Sequence, residues 1–173
     1  MLKMRGSTMF RHRLILSTLS GKAIRIDDIR AGHEEPGLRE FEANFLKLMD
    51  KLTNGTKIEI NETGTSLRYT PGLLVGGSVG SHDCGLERGV GWFLEALICL
   101  APFCKAPISI NLMGITNEDN CISVDTARTV TLPLLRHFGL TDGLELKVCA
   151  SALRGGPASR LSSHVGLFRK CRA

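Results

Sequence analysis

The sequence predicts an α/β protein of the α+β kind, built from repeated units in which two helices pack on a small β-sheet. Segments with apolar residues at helical spacing are separated by short segments of alternating polarity. The order helix, strand, helix, strand occurs twice. Equivalent positions recur 84 residues apart, with Ile24 matching Ile108 and Gly55 matching Gly139. A fixed offset of this kind is typical of an internal repeat.

The first unit is predicted to open with a helix and a strand. The segment FRHRLILSTLSG, from Phe10 to Gly21, has apolar residues at helical spacing and a glycine where a C-terminal cap belongs. The segment KAIRIDDIR alternates Ile24 and Ile26 with charged residues and then shifts to Ile29. We therefore expect a helix followed by a slightly irregular strand.

The next segment, PGLREFEANFLKLMDKLTNG, is the clearest helix in the sequence. Acids stand early and lysines late, and the helix is expected to end at Asn54–Gly55. Its apolar face is predicted to contain Phe41, Phe45, Leu48, Met49 and Leu52. The segment TKIEINETGTSLRYTP then predicts a hairpin that turns around Glu62, Thr63 and Gly64.

The second unit repeats this order. LERGVGWFLEALICLAPF predicts a helix that Pro102 ends, and PISINLMGI predicts a strand. SVDTARTVTLPLLRHFG predicts a helix with a kink at Pro133, and LELKV predicts a closing strand. We place the first repeat unit at residues 1–83 and the second at residues 84–148.

Residues 149–173 are predicted to form an atypical, flexible basic tail. They contain five basic residues and no acid, which leaves 17 bases and 17 acids in the preceding residues. The net charge of +5 is therefore a property of the tail, and the isoelectric point alone is no argument for nucleic-acid binding. Aromatic residues make up 5% of the chain, too few for a stacking platform for single-stranded nucleic acid.

The six cysteines do not form metal-ligand or disulfide patterns. None belongs to a CxxC pair or lies at zinc-ligand spacing with a histidine, so no metal site is predicted. Cys99 and Cys104 fall in or beside an apolar run, and we interpret them as reduced core thiols. That run contains Glu95 and stops at Pro102, which makes it too short to span a membrane.

The segment GGSVGSHDCG, Gly76 to Gly85, has two interpretations. A glycine-rich loop before a helix can hold a phosphate, although the P-loop and Rossmann spacings are missing. Alternatively, the glycines serve a turn and Asp83 caps the helix. Ser81, His82 and Asp83 are chain neighbours, which seldom converge as a catalytic triad. Cys84 is a candidate nucleophile or an inert thiol.

The segment RAGHEEPGLREFE, Arg30 to Glu42, also has two interpretations. Its acids, Glu34, Glu35, Glu40 and Glu42, supply either a general acid–base pair or negative charge at a helix N-terminus. Its bases, Arg30 and Arg39, form either a phosphate pocket with Arg11 and Arg13 or ion pairs with the nearby glutamates.

Several long motifs, in order, resemble the amino-terminal part of the RNA 3′-terminal phosphate cyclase family. They include R-x-R-L-x-L-S-T-L-S-G at Arg11–Gly21 and P-G-L-R-x-F-E-A at Pro36–Ala43. GWFLEALICLAPFCKAPISINLMGITNEDNCISVD and LPLLRHFG continue the resemblance, which runs from about Gly6 to about Val148.

The resemblance implies a fold of repeated units with two helices on a four-stranded sheet. The true cyclases of the family use ATP to adenylylate a histidine and convert an RNA 3′-phosphate into a 2′,3′-cyclic phosphate. A cyclase-like branch is not thought to perform this reaction. It is a nucleolar factor in pre-rRNA processing for the small ribosomal subunit and binds a large assembly GTPase. A pre-rRNA cleavage role has been proposed for it.

Two departures favour the cyclase-like branch. The stretch GSTMFRHR lacks the Gly-Gly-Gln of the true cyclases, and Phe41 and Glu42 replace their Gln-His. The family's nucleophilic histidine lies in later repeats, so His164 does not inherit that role. Residues 149–173 replace the family's usual continuation, which suggests a truncated isoform or a shifted frame.

The sequence therefore predicts a ribosome-biogenesis factor in the nucleus and nucleolus, with no catalytic residues and no cofactor. The expected partners are a ribosome-assembly GTPase, the small-subunit processome and pre-rRNA, with no membrane. The candidates for RNA or partner contact are Arg11, Arg30, His33 and Arg39. The alternative is an ATP-dependent RNA 3′-terminal phosphate cyclase.

Overall fold

A computed structural model describes residues 1–138 and Leu146. The chain divides into two compact units, Met1–Val75 and a second that begins at Gly76. The predicted repeat boundary, between residues 83 and 84, instead falls at the end of a strand in the second unit. The predicted α/β class with helices packed on small sheets is confirmed.

The first unit contains two helices and a four-stranded mixed sheet. Its elements in chain order are β1 (Leu2–Arg5), α1 (Phe10–Ser20), β2 (Ile24–Asp27), α2 (Glu40–Leu52), β3 (Thr53–Asn54), β4 (Lys57–Ile60), β5 (Leu67–Thr70) and β6 (Leu73–Leu74). The sheet has the order β1-β2-β5-β4. β1 is parallel to β2, and the other neighbours are antiparallel. The short strands β3 and β6 pair separately.

The core of the first unit joins one face of this sheet to α1 and α2. Alternate residues of β2 and β5 are fully buried, because successive side chains of a strand point to opposite faces. The buried apolar side chains of this unit are Phe10, Leu14, Ile15, Ile24, Ile26, Ile29, Phe45, Leu46, Leu48, Met49, Leu52, Leu67, Tyr69 and, in β6, Leu74. The Tyr69 hydroxyl lies 2.8 Å from Thr18 Oγ1, which in turn donates to the Leu14 carbonyl oxygen.

Most elements predicted for the first unit are confirmed. α1 ends at Ser20 and is capped as predicted by Gly21, whose φ of 67° lies in the left-handed region that glycine favours. The predicted hairpin is β4 and β5, and its turn contains Gly64 at a φ of 67°. α2 ends at Leu52, two residues before the predicted Asn54, because Thr53 and Asn54 enter a strand.

The second unit begins with a strand where the sequence predicted a loop. Its elements are β7 (Gly76–Asp83), α3 (Val90–Leu100), a 3₁₀ turn (Ala101–Phe103), β8 (Ala106–Met113), α4 (Val124–Thr126), a π-helical turn (Ala127–Thr131) and α5 (Leu132–His137). β7 runs parallel to β8. The GGSVGSHD segment is therefore a strand with bulges, whereas both interpretations from the sequence, a phosphate-binding loop and a structural turn, assumed a loop.

The structure describes the later helix of this unit but not its predicted closing strand. The helix predicted around Pro133 is irregular: a π-helical turn, Ala127–Thr131, lies directly before α5, near a proline that lacks an N–H group for the regular ladder. The predicted strand LELKV lies outside the described residues, apart from buried Leu146. Among the described residues, no helix is long and apolar enough to cross a membrane.

Candidate functional site

The loop between β2 and α2 is the segment that the sequence marked as chemically rich. Two non-glycine residues, Asp28 and Arg30, take positive φ values of 60° and 48° as the chain leaves β2. Between them Ile29 is fully buried, and its N–H donates to the Thr65 carbonyl oxygen at 2.9 Å. Left-handed backbone is unfavourable for such residues unless the surroundings fix it. The loop entrance is therefore held by burial and by the β4–β5 turn.

The two charged groups at the centre of this loop form a buried ion pair. Arg30 donates from Nη1 to Glu42 Oε2 and from Nη2 to Glu42 Oε1, both at 2.7 Å. The side chains are 15% and 3% exposed. Arg30 Nη1 also donates to the Gly37 carbonyl oxygen at 3.0 Å. The hydrogen bonds that Arg30 donates to Glu42 raise the pKa of Arg30, so its guanidinium stays charged.

Glu42 also closes the start of α2. Its Oε2 accepts a hydrogen bond from the Arg39 backbone N–H at 2.9 Å, the reciprocal half of a capping box. The first-turn acid is thus committed to the helix N-terminus and to Arg30. Of the two interpretations from the sequence, helix-terminal stabilisation describes Glu42, and a general acid–base role does not.

Gly37 fixes the far end of the loop against the β4–β5 turn. It is buried at a φ of 94°, and a Cβ atom there would collide with the Thr63 carbonyl oxygen. Its N–H donates to the Ile29 carbonyl oxygen at 3.0 Å, and the Leu38 N–H donates to the Gly64 carbonyl oxygen at 3.1 Å. The loop is held at both ends and through its middle, as a structural scaffold would be.

The structure places the four predicted contact residues in different surroundings. Arg30 is committed to Glu42, and Arg39 forms an ion pair with Glu35 four residues before it. His33 is exposed at the loop tip, and Arg11 is half-buried on α1. The loop arginines therefore pair with loop glutamates, as the structural alternative expected. Whether any of the four touches RNA stays a prediction.

Arg13, the other member of the expected phosphate pocket, is used to hold the backbone before α1. Its Nη1 donates to the carbonyl oxygens of Gly6, at 2.8 Å, and Arg5, at 3.1 Å. This contact secures the connection between β1 and α1.

The Ser81, His82 and Asp83 triad interpretation conflicts with the strand geometry. His82 is buried, with its ring centroid 5.9 Å from that of Phe93, whereas Ser81 and Asp83 are exposed on the opposite face of β7. Asp83 accepts from the Gly85 N–H at 2.9 Å and so does not cap α3, which begins at Val90. The expected helix cap at Asp83 is therefore wrong.

The thiols also differ from the prediction. Cys84 is buried, and burial raises its pKa far above the ordinary value, which disfavours a nucleophilic role. Cys104 is buried as expected, but Cys99 is exposed on α3. Helical spacing had placed Cys99 in the apolar run without indicating its face. In residues 1–138 and Leu146, no set of three or more His, Cys, Asp or Glu side chains is grouped to hold a metal ion.

The second unit contains a second buried carboxylate, Glu118, which no motif in the sequence had indicated. The Glu118 side chain is 2% exposed and lies 3.7 Å from Arg88 Nη1. Its Oε2 accepts the N–H of Gly89, the residue that caps α3, at 2.5 Å. The sequence did contain one signal for Glu118. This residue lies in Thr116–Asp125, the segment that follows β8 and that corresponds, in the repeat, to the Arg30–Glu42 loop after β2. Each unit thus anchors one helix N-terminus through a buried glutamate.

Comparisons with known proteins match most of the chain. The family model for RNA 3′-terminal phosphate cyclase matches residues 2–161. A probable RNA 3′-terminal phosphate cyclase-like protein of Dictyostelium discoideum is 58% identical over 157 residues, 91% of this chain and 42% of that protein. The human RNA 3′-terminal phosphate cyclase-like protein is 52% identical over 152 residues, 87% of this chain and 40% of that protein.

A third relative has a name that states a process. The rRNA processing protein rcl1 of Schizosaccharomyces pombe is 43% identical over 157 residues, 89% of this chain and 43% of that protein. The chain thus spans about two fifths of the length of these curated relatives. The family match reaches residue 161, so it includes residues 149–161, and the prediction that the resemblance stops at about Val148 is wrong.

Proposed function

This chain belongs to the RNA 3′-terminal phosphate cyclase family, and on that premise we propose that it acts in ribosome biogenesis, in the processing of rRNA, without cyclase activity. The observation that carries the proposal is its 43% identity to a relative named as an rRNA processing protein. The relatives named cyclase-like, at up to 58% identity, support the same branch of the family.

The loop geometry supports a role that does not depend on catalysis by this segment. By the resemblance, Phe41 and Glu42 stand where the true cyclases have Gln-His. Glu42 is buried against Arg30 and the start of α2. A carboxylate committed to an ion pair and a helix N-terminus is a poor substrate ligand. We propose that the Arg30–Glu42 pair is a scaffold at the centre of this loop and that any contact is made by residues outside this pair.

The finer parts of the proposal concern place and partners. The chain is proposed to act in the nucleolus, on pre-rRNA of the small subunit, together with a ribosome-assembly GTPase and the small-subunit processome. Among the predicted contact residues, exposed His33 is the best placed for a partner, followed by Arg11 and Arg39. Arg30 would have to leave Glu42 first.

A complementation experiment tests the proposal. Cells depleted of their own cyclase-like protein receive this chain with an epitope tag, and pre-rRNA intermediates are measured by hybridisation. We expect the tagged chain to concentrate in nucleoli and associate with small-subunit precursors. Uniform distribution in the cell and no association with precursor RNA would overturn the proposal.

The second candidate function is an ATP-dependent RNA 3′-terminal phosphate cyclase, which the description of the matching family favours. Incubation of the purified chain with labelled ATP and a 3′-phosphate RNA distinguishes the two. We expect neither an AMP–protein adduct nor a 2′,3′-cyclic phosphate. Either product would favour the enzyme.

A further inference from the structure

The outer face of the four-stranded sheet in the first unit is covered with charge. Ile24, Ile26, Leu67 and Tyr69 point to the helices and are buried. The residues between and beside them therefore point away from the helices. The outward positions of β1, β2, β4 and β5 are occupied by Lys3, Arg5, Arg25, Asp27, Lys57, Glu59, Arg68 and Thr70.

Strand register brings three of these bases into one row. Lys3 of β1 is the partner of Arg25 on β2, and Arg25 is the partner of Arg68 on β5. Register partners lie side by side on one face, and neighbouring strands are about 4.8 Å apart. The row therefore sets three cations across about 10 Å of sheet. Like charges at this spacing repel one another, which favours a bound anion.

The whole face carries an excess of positive charge. Its five bases exceed the two acids on its strands, Asp27 and Glu59, by three, and Asp28, which lies 3.5 Å from Arg5 just after β2, lowers the local excess to two. Because residues 1–148 together are formally neutral, this excess is a local concentration and not a reflection of overall composition. An ordinary solvated sheet face mixes both signs more evenly.

The ion pairs on this face are exposed and weak. Arg25 Nε donates to Asp27 Oδ1 at 2.9 Å, with the side chains 47% and 31% exposed. Arg68 lies 3.4 Å from Glu59, with exposures of 52% and 63%. Exposed pairs of this kind contribute little to stability. A phosphate can replace these carboxylates as the partner of either arginine at little cost.

We infer that this sheet face, with Lys3, Arg25 and Arg68 at its centre, binds RNA through the phosphate backbone. None of the eight outward positions on these described strands is apolar, whereas protein interfaces centre on apolar and aromatic side chains. Polar, strongly positive surfaces are typical of nucleic-acid interfaces. The identity of that RNA as pre-rRNA rests on the proposed function. The inference that the face binds RNA rests only on its charge and geometry.

The chemistry also sets the specificity. The sheet's tyrosine, Tyr69, is buried on the helix side, so bases find no aromatic ring to stack on among the outward positions of these strands. Contacts made only to phosphates do not distinguish sequences. The face is therefore expected to bind RNA without sequence preference and with a strong dependence on salt.

The test compares two triple variants of the full chain for binding to a fluorescent, unstructured 20-nucleotide RNA by anisotropy. The face variant carries Lys3→Gln, Arg25→Gln and Arg68→Gln. The control variant carries Lys22→Gln, Lys47→Gln and Lys105→Gln, which remove the same charge from exposed positions outside this face. Circular dichroism and thermal melting confirm that both variants fold as the parent does.

We expect the face variant to bind about 10–100-fold more weakly at 0.1 M salt, since each phosphate contact on a single strand contributes about 0.7 to the salt slope. The slope of log K against log salt concentration should fall by about 2. The control variant should keep most of the affinity. Equal losses in the two variants would overturn the inference, because they would reflect net charge alone.

Two further outcomes separate the alternatives. The first outcome is that the parent binds poly-glutamate tightly and the face variant loses this binding together with RNA binding. This result would assign the face to acidic polypeptides and overturn the RNA assignment. The second outcome concerns a face variant that binds RNA as tightly as the parent and, in depleted cells, still associates with precursor particles. This result would exclude the face as the RNA-binding surface and leave the proposed function intact. A parent chain that binds RNA at this face but never reaches such particles would support the face as an RNA-binding surface and overturn the proposed function.

Discussion

At the scale of single residues, the buried Arg30–Glu42 ion pair holds the loop between β2 and α2 in its conformation. The sequence indicated the choice between catalysis and helix-terminal stabilisation, but not which acid would be buried. Helical spacing assigned Phe41 to the apolar face, and the structure leaves it half-buried while Glu42 is 2% exposed. A buried acid is recognisable only when its partner is known, and Arg30 lies twelve residues away in a loop whose path no periodicity predicts.

Replacing Glu42 should therefore be costly. Glu42→Gln leaves the Arg30 guanidinium buried with a neutral partner, and we expect the free energy of unfolding to fall by about 3–5 kcal/mol. Urea unfolding followed by circular dichroism measures the loss. Glu40→Gln, at the exposed first residue of α2, should cost about 0.5 kcal/mol. Similar small losses at both positions would show that the buried pair does not stabilise the fold.

A second residue-scale prediction concerns Gly37. Gly37→Ala places a methyl group against the Thr63 carbonyl oxygen at a φ of 94°, so we expect a loss of about 1–3 kcal/mol or more. Gly32→Ala is the matched control in the same loop, because a Cβ there meets nothing within 4 Å. Denaturant midpoints compare the two variants. An unchanged midpoint for Gly37→Ala would mean that the loop moves freely away from the β4–β5 turn.

At the scale of elements, the sequence predicted strongly periodic segments well and weak strands poorly. α1, α2, α3, β8 and the β4–β5 hairpin lie close to their predicted places. β1 and β7 were missed. LKMR alternates apolar and charged residues over only four positions, which is a weak signal, and GGSVGSHD has the composition of a loop. Both become strands because a parallel partner, β2 or β8, supplies hydrogen bonds that local sequence does not encode.

The contact between the sheet and α1 gives an element-scale prediction. Tyr69→Phe removes the hydroxyl that lies 2.8 Å from Thr18 Oγ1, and we expect a loss of about 1 kcal/mol. A double-mutant cycle with Thr18→Val isolates the coupling, measured by chemical denaturation. Strictly additive losses would show that the hydrogen bond contributes nothing to the attachment of α1.

At the scale of the molecule, the first compact unit has its own sheet, helices and core. We expect a fragment of residues 1–75 to fold alone, with a free energy of unfolding of about 3–5 kcal/mol. Far-ultraviolet circular dichroism and a cooperative urea transition check this. Leu48→Ala, which opens a cavity at a fully buried position, should abolish that transition. A fragment that is unfolded at low temperature would show that this core depends on the rest of the chain.

The order of strands in the first sheet has a consequence for the chain as the ribosome makes it. β2 is a central strand, yet its antiparallel partner β5 comes much later, with Ile26 paired to Leu67. At about 5–20 residues per second, β2 waits about 2–8 s before that edge is satisfied. During this interval β2 has only the short strand β1 beside it. Nascent chains of this protein should therefore engage chaperones until residue 70 has left the exit tunnel.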